Sequence, residues 1–101
     1  MSFKKLQEEI IQNKIKKGFN HTDIGKEIIL MAEELGELAR AYRDSNKKPA
    51  KEIDNRENII DAVGDLVVYC LGVFEMLGVD GEEVVSEIVE KNKKRTHRSQ
   101  I

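Results

Sequence analysis

Nowhere in this chain do Val, Ile or Thr alternate with polar residues long enough to build a β-strand, and its one proline is Pro49. The apolar residues instead recur three and four apart, the period of a half-buried helix. Four segments carry that period. The first covers about residues 2–17, with Phe3, Leu6, Ile10 and Ile15 on one face, and Gly18-Phe19-Asn20-His21 breaks it. The second starts near Thr22 or Asp23, both good N-caps, and continues to about Arg43. Its apolar face is Ile24, Ile28, Met31, Leu35, Leu38 and Tyr42. A polar linker over residues 44–49 holds the proline. The third helix opens at Asp54 with Glu57 three residues on, an Asp variant of the capping box. It runs to Leu77 along Ile59, Val63, Leu66, Val67, Cys70 and Phe74, and Gly78 is its stop. The fourth repeats the start signal with Asp80 and Glu83, carries Val84, Val85, Ile88 and Val89, and fades into a basic end over residues 91–95. The expected architecture is all-α: a four-helix bundle over residues 1–95, followed by a polar tail over 96–101.

Size and charge narrow the function. A chain of 101 residues with one composition throughout suits a single domain. Seventeen Lys plus Arg against nineteen Asp plus Glu give a net charge of −2, where a duplex binder carries a strong basic excess. No nucleic-acid partner is expected. The hydrophobic fraction of 40% is lean for a lone domain of this length, which buries only about 60–65% of its unfolded surface. Val68 lies opposite the main stripe of the third helix and asks for burial on a second side. Both features favour association of copies. Cys70 has no partner for an intrachain disulfide and sits among apolar residues, as a buried thiol in a reducing compartment does. No apolar run approaches the roughly 18 residues of a membrane span. Met1-Ser2-Phe3-Lys4-Lys5 leads into Gln and Glu instead of a signal-peptide core, so a cytoplasmic location without a membrane partner is expected.

The densest chemistry is on the second helix, in Ala32-Glu33-Glu34-Leu35-Gly36-Glu37-Leu38. At about 100° per residue, Glu34 falls inside the arc of Leu30, Met31 and Leu38, with Glu37 at its edge and Glu33 just beyond. A carboxylate on a core-facing arc is costly unless something compensates for it, and a divalent cation is one such compensation. The plain alternative is a solvated row of helix formers. The third helix supplies Asp61 and Asp65, one turn apart, with Tyr69 a turn later. Asp is a poor helix-interior residue, and acidic side chains facing one another across a bundle build metal sites. His21 and His97 lie far apart, and one thiol makes no zinc site. There is no Gly-rich phosphate loop and no nucleophile elbow.

Glu33-Glu34-Leu35-Gly36-Glu37-Leu38, followed by Asp61-Ala62-Val63-Gly64-Asp65-Leu66-Val67-Val68-Tyr69 and by Asn92 and Arg95, resembles the MazG-like all-α nucleoside triphosphate pyrophosphohydrolases. The family pattern is Glu-Glu-x-x-Glu, a spacer, then Glu-x-x-Asp. Position 62 departs from it: Ala62 stands where the family has Glu. Asp61 is the nearest acid, a rotation of roughly 100° away on a helix. The resemblance implies Mg²⁺, or Mn²⁺ in its place, held by Glu34, Glu37 and Asp65 with Asp61 as a fourth ligand. It implies that Glu33 orients or deprotonates the attacking water, and that Tyr69, Lys91, Asn92 and Arg95 contact substrate. The implied reaction cleaves an NTP or dNTP between the α- and β-phosphates to the monophosphate and pyrophosphate. The implied assembly is a homodimer or homotetramer with the site between helices of associated subunits. Two rivals stand beside this reading. One is phosphoribosyl-ATP pyrophosphohydrolase, of the same superfamily. The other is a non-catalytic helical interaction module, which the missing acid at Ala62 would suit.

Overall fold

The protein is described by a computed structural model over residues 2–47 and 52–95. Four helices make up that span: α1 (Phe3–Lys17), α2 (Ile24–Lys47), α3 (Glu52–Met76) and α4 (Gly81–Lys94). No strand occurs among the described residues. The spine is α3, on which the other three helices pack. Helix α4 also meets α1, whereas among the described residues α2 packs on α3 alone. No single helix among the described residues is long and apolar enough to cross a membrane.

Local chemistry explains most of the boundaries. Ser2 caps α1 by accepting from the Lys5 amide at 3.1 Å, and Gly18 ends it in the left-handed region at φ 74°. Asp23 caps α2 by accepting from the Lys26 amide at 3.1 Å. Gly78 turns the chain after α3 at φ 73°. Asp80 caps α4 through the Glu82 amide at 3.0 Å. Two boundaries differ from those the spacing predicts. Helix α2 continues through Lys47, into the stretch expected to be linker, while Pro49 lies outside the described residues. Helix α3 begins at Glu52, so Asp54 lies inside the helix instead of capping it, and Glu57 is no capping partner. Helix ends are weakly specified by propensity, so apolar spacing and capping signals place them only approximately. The expected tail over 96–101 also lies outside the described residues, apart from which only the C-cap Arg95 follows α4.

The covered stripes coincide only in part with the ones apolar spacing picks out. On α2 the shielded positions include Ile24, Glu27, Met31, Glu34 and Leu38; on α3 they include Ile59, Ala62, Leu66, Tyr69 and Val73. Ile28, Leu35 and Tyr42 on α2, and Val63, Val67 and Leu77 on α3, are exposed. Cys70 is half-buried. Among the described residues the one fully buried apolar side chain is Leu71, outside the expected stripe, while Gln7 and Glu27 are buried more deeply still. Both long helices carry apolar residues on two arcs, and periodicity alone does not say which arc meets a neighbour.

Gln7 shows how polar groups hold this interior. Its amide nitrogen donates to the Val79 carbonyl at 2.9 Å and to Glu75 at 3.2 Å, while its oxygen accepts from the Gly81 amide at 2.8 Å. One side chain of α1 thereby fixes the turn between α3 and α4. The fit leaves no room at Gly81, where a Cβ would stand 2.3 Å from Phe74 Cδ2 and 2.9 Å from Gln7 Oε1. Gly81→Ala is expected to destabilise the fold by about 1–3 kcal/mol, the usual cost of overpacking. Urea denaturation measures it, and a loss below about 0.5 kcal/mol, the range of ordinary surface changes, would mean that the Phe74 ring yields freely.

Candidate functional site

The site begins at the turn between α1 and α2. Gly18 reverses the chain, and Asn20 locks the reversal. Its amide nitrogen donates to the Asp23 carbonyl at 2.9 Å and its oxygen accepts from the Asp23 amide at 3.2 Å. The same nitrogen donates to Glu27 Oε2 at 2.9 Å. The other Glu27 oxygen pairs with Lys14 Nζ. Glu27 is thus a buried carboxylate with a charged partner from α1 and a neutral donor from the turn. Burial works to raise its carboxyl, but the hydrogen bonds from Asn20 and Lys14 and the charges of Lys14 and Lys26 hold it below its ordinary value.

Lys14 also reaches α3. Its ammonium sits 5.7 Å from the centre of the Tyr69 ring, within cation–π range. Gly72 lies beside this contact, where a Cβ would meet Ile10 at 3.4 Å and Lys14 Cε at 3.9 Å, ordinary packing distances. Around this junction open two clefts. One, of about 410 Å³, is lined by Asn13 and Lys14 of α1, Phe19 of the turn, Glu34 of α2, and Asp65 and Tyr69 of α3. The other, of about 350 Å³, shares Lys14, Phe19 and Tyr69 with it and is closed by Asn20, Lys26 and Glu27. Burial raises the Tyr69 phenol, and the charges of Glu34, Glu27, Asp65 and Glu33 raise it further. Tyr69 is therefore a protonated donor throughout the neutral range, ringed by carboxylates.

The residues singled out from the sequence divide around this geometry. Glu34 is half-buried and lines the larger cleft with Asp65 and Tyr69, bringing the two acidic helices together at one place. Val68 is exposed on the chain and lines the same cleft. Glu33 and Glu37 are exposed beside Glu34, as their helical angles predict. Asp61 is exposed, whereas Ala62, the position of the family's acid, lies on the shielded stripe. Lys91, Asn92 and Arg95 lie at the end of α4 and line neither cleft of their own chain. Among the described residues no three Asp, Glu, His or Cys side chains converge as a ready-made ion cage.

Lys14, Asn13, Asn20 and Glu27 escape a search for apolar stripes and acidic pairs. A signal for two of them was present: Gln7 and Lys14 stand seven apart on α1, as Glu27 and Glu34 do on α2, each at a core-stripe position. A polar residue recurring on a buried stripe needs a partner, and here each has one or lines a cleft.

Glu27 makes the fold acid-sensitive in a defined direction. A carboxyl held below its ordinary value stabilises the folded state above the unfolded value, near 4.5, and that stability is lost as pH falls through the lower folded value. Glu75 acts in the same sense, through its hydrogen bond from Lys4. Glu27→Gln is expected to cost about 1–3 kcal/mol at pH 7 and to flatten the fall in melting temperature below pH 4.5. Melting curves of wild type and variant that stay parallel across that range would place the acid sensitivity elsewhere.

Comparison with known proteins is consistent with this geometry. The sequence model of the phosphoribosyl-ATP pyrophosphohydrolase family matches residues 3–92, a span that includes both acidic sets and the α1–α2 turn. No curated protein and no solved structure matches the chain significantly. The match falls on the branch that stood as the enzymatic rival, within the superfamily the motifs resemble, and identifies no specific MazG family. With all four helices in place and the family model covering most of the chain, the protein belongs to the phosphoribosyl-ATP pyrophosphohydrolase family, the all-α MazG-like hydrolases that release pyrophosphate from a nucleotide.

Proposed function

We propose that the chain cleaves an NTP or dNTP between the α- and β-phosphates, yielding the monophosphate and pyrophosphate, in the cleft where α1, α2 and α3 meet. The observation that carries this reading is that Glu34 and Asp65, from two different helices, line one cleft together with Tyr69 and Lys14. The donor set suits Mg²⁺, with Mn²⁺ as an alternative. Mg²⁺ takes oxygen ligands and is commonly held by one or two carboxylates, waters and substrate phosphates, without a closed protein cage. Glu34 and Asp65 would hold it, with Glu37 and Asp61 as further donors on the same helices. Bound there, it would neutralise charge on the phosphoryl oxygens. Glu33, beside Glu34 and open to solvent, accepts the proton of the attacking water. Tyr69 donates its phenol proton in a hydrogen bond to a phosphate or sugar oxygen.

A second reading, phosphoribosyl-ATP as substrate, is favoured by the family match over residues 3–92. Both readings break the same bond, so a panel separates them: canonical and damaged NTPs and dNTPs beside phosphoribosyl-ATP, each with Mg²⁺ and with product separation. Monophosphate plus pyrophosphate from the NTPs supports the first reading, and turnover of phosphoribosyl-ATP alone supports the second. Diphosphate plus orthophosphate would falsify cleavage between the α- and β-phosphates.

Association belongs to the same proposal. Ile28, Leu35 and Tyr42 form an exposed row at seven-residue spacing on α2, and Ile60, Val63 and Val67 form another on α3. A second copy of the chain is the natural cover for such rows, as a homodimer or homotetramer, and Lys91, Asn92 and Arg95 would serve the phosphates of a neighbouring copy. Light scattering at micromolar concentration is expected to give at least twice 11.5 kDa. A sharp monomer mass would contradict it.

Four substitutions test the ligand set. Glu34→Gln and Glu37→Gln are each expected to lower turnover at least ~100-fold with the fold intact, and Asp65→Asn to abolish it. Asp61→Asn is expected to cost about tenfold, or about 1.4 kcal/mol of transition-state stabilisation. Steady-state rates against Mg²⁺ concentration check each one. An Asp61→Asn enzyme with unchanged rate and Mg²⁺ dependence would make Asp61 a bystander.

A further inference from the structure

We infer that Lys14 is a phosphate-binding residue of the cleft: its ammonium, anchored on Glu27 and stationed over Tyr69, supplies the protein's own positive charge to the polyphosphate arm of the nucleotide. The inference rests on the reading of the larger cleft as the nucleotide site. Three observations lead to it. Glu34 and Asp65 line that cleft, and a polyphosphate entering it brings still more negative charge. Among the residues lining the larger cleft, Lys14 is the one cation. Its side chain is largely covered, with 14% of its surface exposed, so its charge acts with little screening by water.

The geometry leaves Lys14 donors to spare. An ammonium has three N–H groups. One is engaged by Glu27, and the Tyr69 contact takes the face of the ring and no lone pair. Two helices and the turn hold the group in place: Glu27 by its charge, Asn20 by securing the second Glu27 oxygen, and Tyr69 of α3 by presenting its ring to the ammonium. A cation already fixed before binding loses little side-chain freedom when a phosphate oxygen arrives, which favours its use there. Lys26 serves the neighbouring cleft and helps to offset Glu27, which leaves the charge of Lys14 less consumed by its partner.

Calorimetric titration with inorganic tripolyphosphate in the presence of Mg²⁺ tests this without turnover. The wild-type chain is expected to bind, Lys14→Met to bind at least about tenfold more weakly, and Lys14→Arg to fall within a few-fold of wild type, since a charge-assisted hydrogen bond is worth a tenfold factor or more. Glu27→Gln separates phosphate contact from scaffolding. It removes the anchor's charge but keeps the ammonium and an amide oxygen that still accepts from it, so its affinity is expected to stay within a few-fold of wild type even though its melting temperature falls. Equal affinity of wild type and folded Lys14→Met overturns the assignment of Lys14 alone. Parallel losses of affinity in Lys14→Met and Glu27→Gln, tracking their melting temperatures, also overturn it, because they describe a structural role. Should Lys14→Met fail to fold, the Glu27→Gln titration decides on its own: retained affinity supports the assignment, and a tenfold loss overturns it. A wild-type chain that binds no tripolyphosphate with Mg²⁺ overturns the reading of the cleft together with that of Lys14.

Discussion

A carboxylate buried at the junction of three helices organises this protein. Glu27 is almost wholly shielded from water, and an ionised group in that position is tolerated only with partners. Lys14 comes from α1 and Asn20 from the turn before α2, and Lys14 also meets Tyr69 of α3. Helices α1 and α2 do not otherwise pack on each other. Both helices are placed by their packing on α3, and the Lys14–Glu27 pair adds a direct tie between α1 and α2. A buried ion pair contributes little net stability once desolvation is counted. Removing either partner, however, leaves the other charge buried and uncompensated, which is strongly destabilising.

The same logic recurs at the opposite end of α1. Gln7, seven residues before Lys14, ties the α3–α4 turn through three hydrogen bonds, and the Phe3 amide donates to Glu82 at 3.2 Å to hold the start of α4. Two polar clamps on one face of α1 thus tie it to α2 at one end and to the α3–α4 turn at the other. Apolar burial within the chain is slight by comparison, with Leu71 as the deepest apolar side chain described. The exposed rows on α2 and α3 are where the rest of the hydrophobic effect would act if a second copy covered them.

The chemistry follows from where the clamps leave room. With Glu27 buried on α2, the next stripe position seven residues on is Glu34, which faces the cleft. Asp65 and Tyr69, one turn apart on α3, meet it there. A cleft between helices gives partial exposure to residues that a closed bundle would have to bury, so charged side chains can stand at core positions. Asp61 and Ala62 illustrate how fine this selection is: one residue of rotation separates an exposed acid from a shielded alanine.

Much was determined by the amino-acid sequence by itself. Helical period, the absence of strand alternation, Gly18 and Gly78 as stops and Asp80 as a cap all act within a few residues, so four helices and their turns are legible locally. The two acidic sets were legible too, because Glu34 on a core arc and two aspartates in mid-helix are locally costly. Only the tertiary structure decided which arc of each helix is covered, and hence that Ile28 and Leu35 face outward while Glu27 faces in, on the same side as the Glu34 already placed on a core arc. It alone brought Lys14 to Glu27 and Tyr69 and made α2 outrun its last apolar residue. The physical reason is that a helix specifies the directions of its side chains about its own axis. The partner that each direction meets depends on how whole helices cross, and that is settled by all of their contacts together.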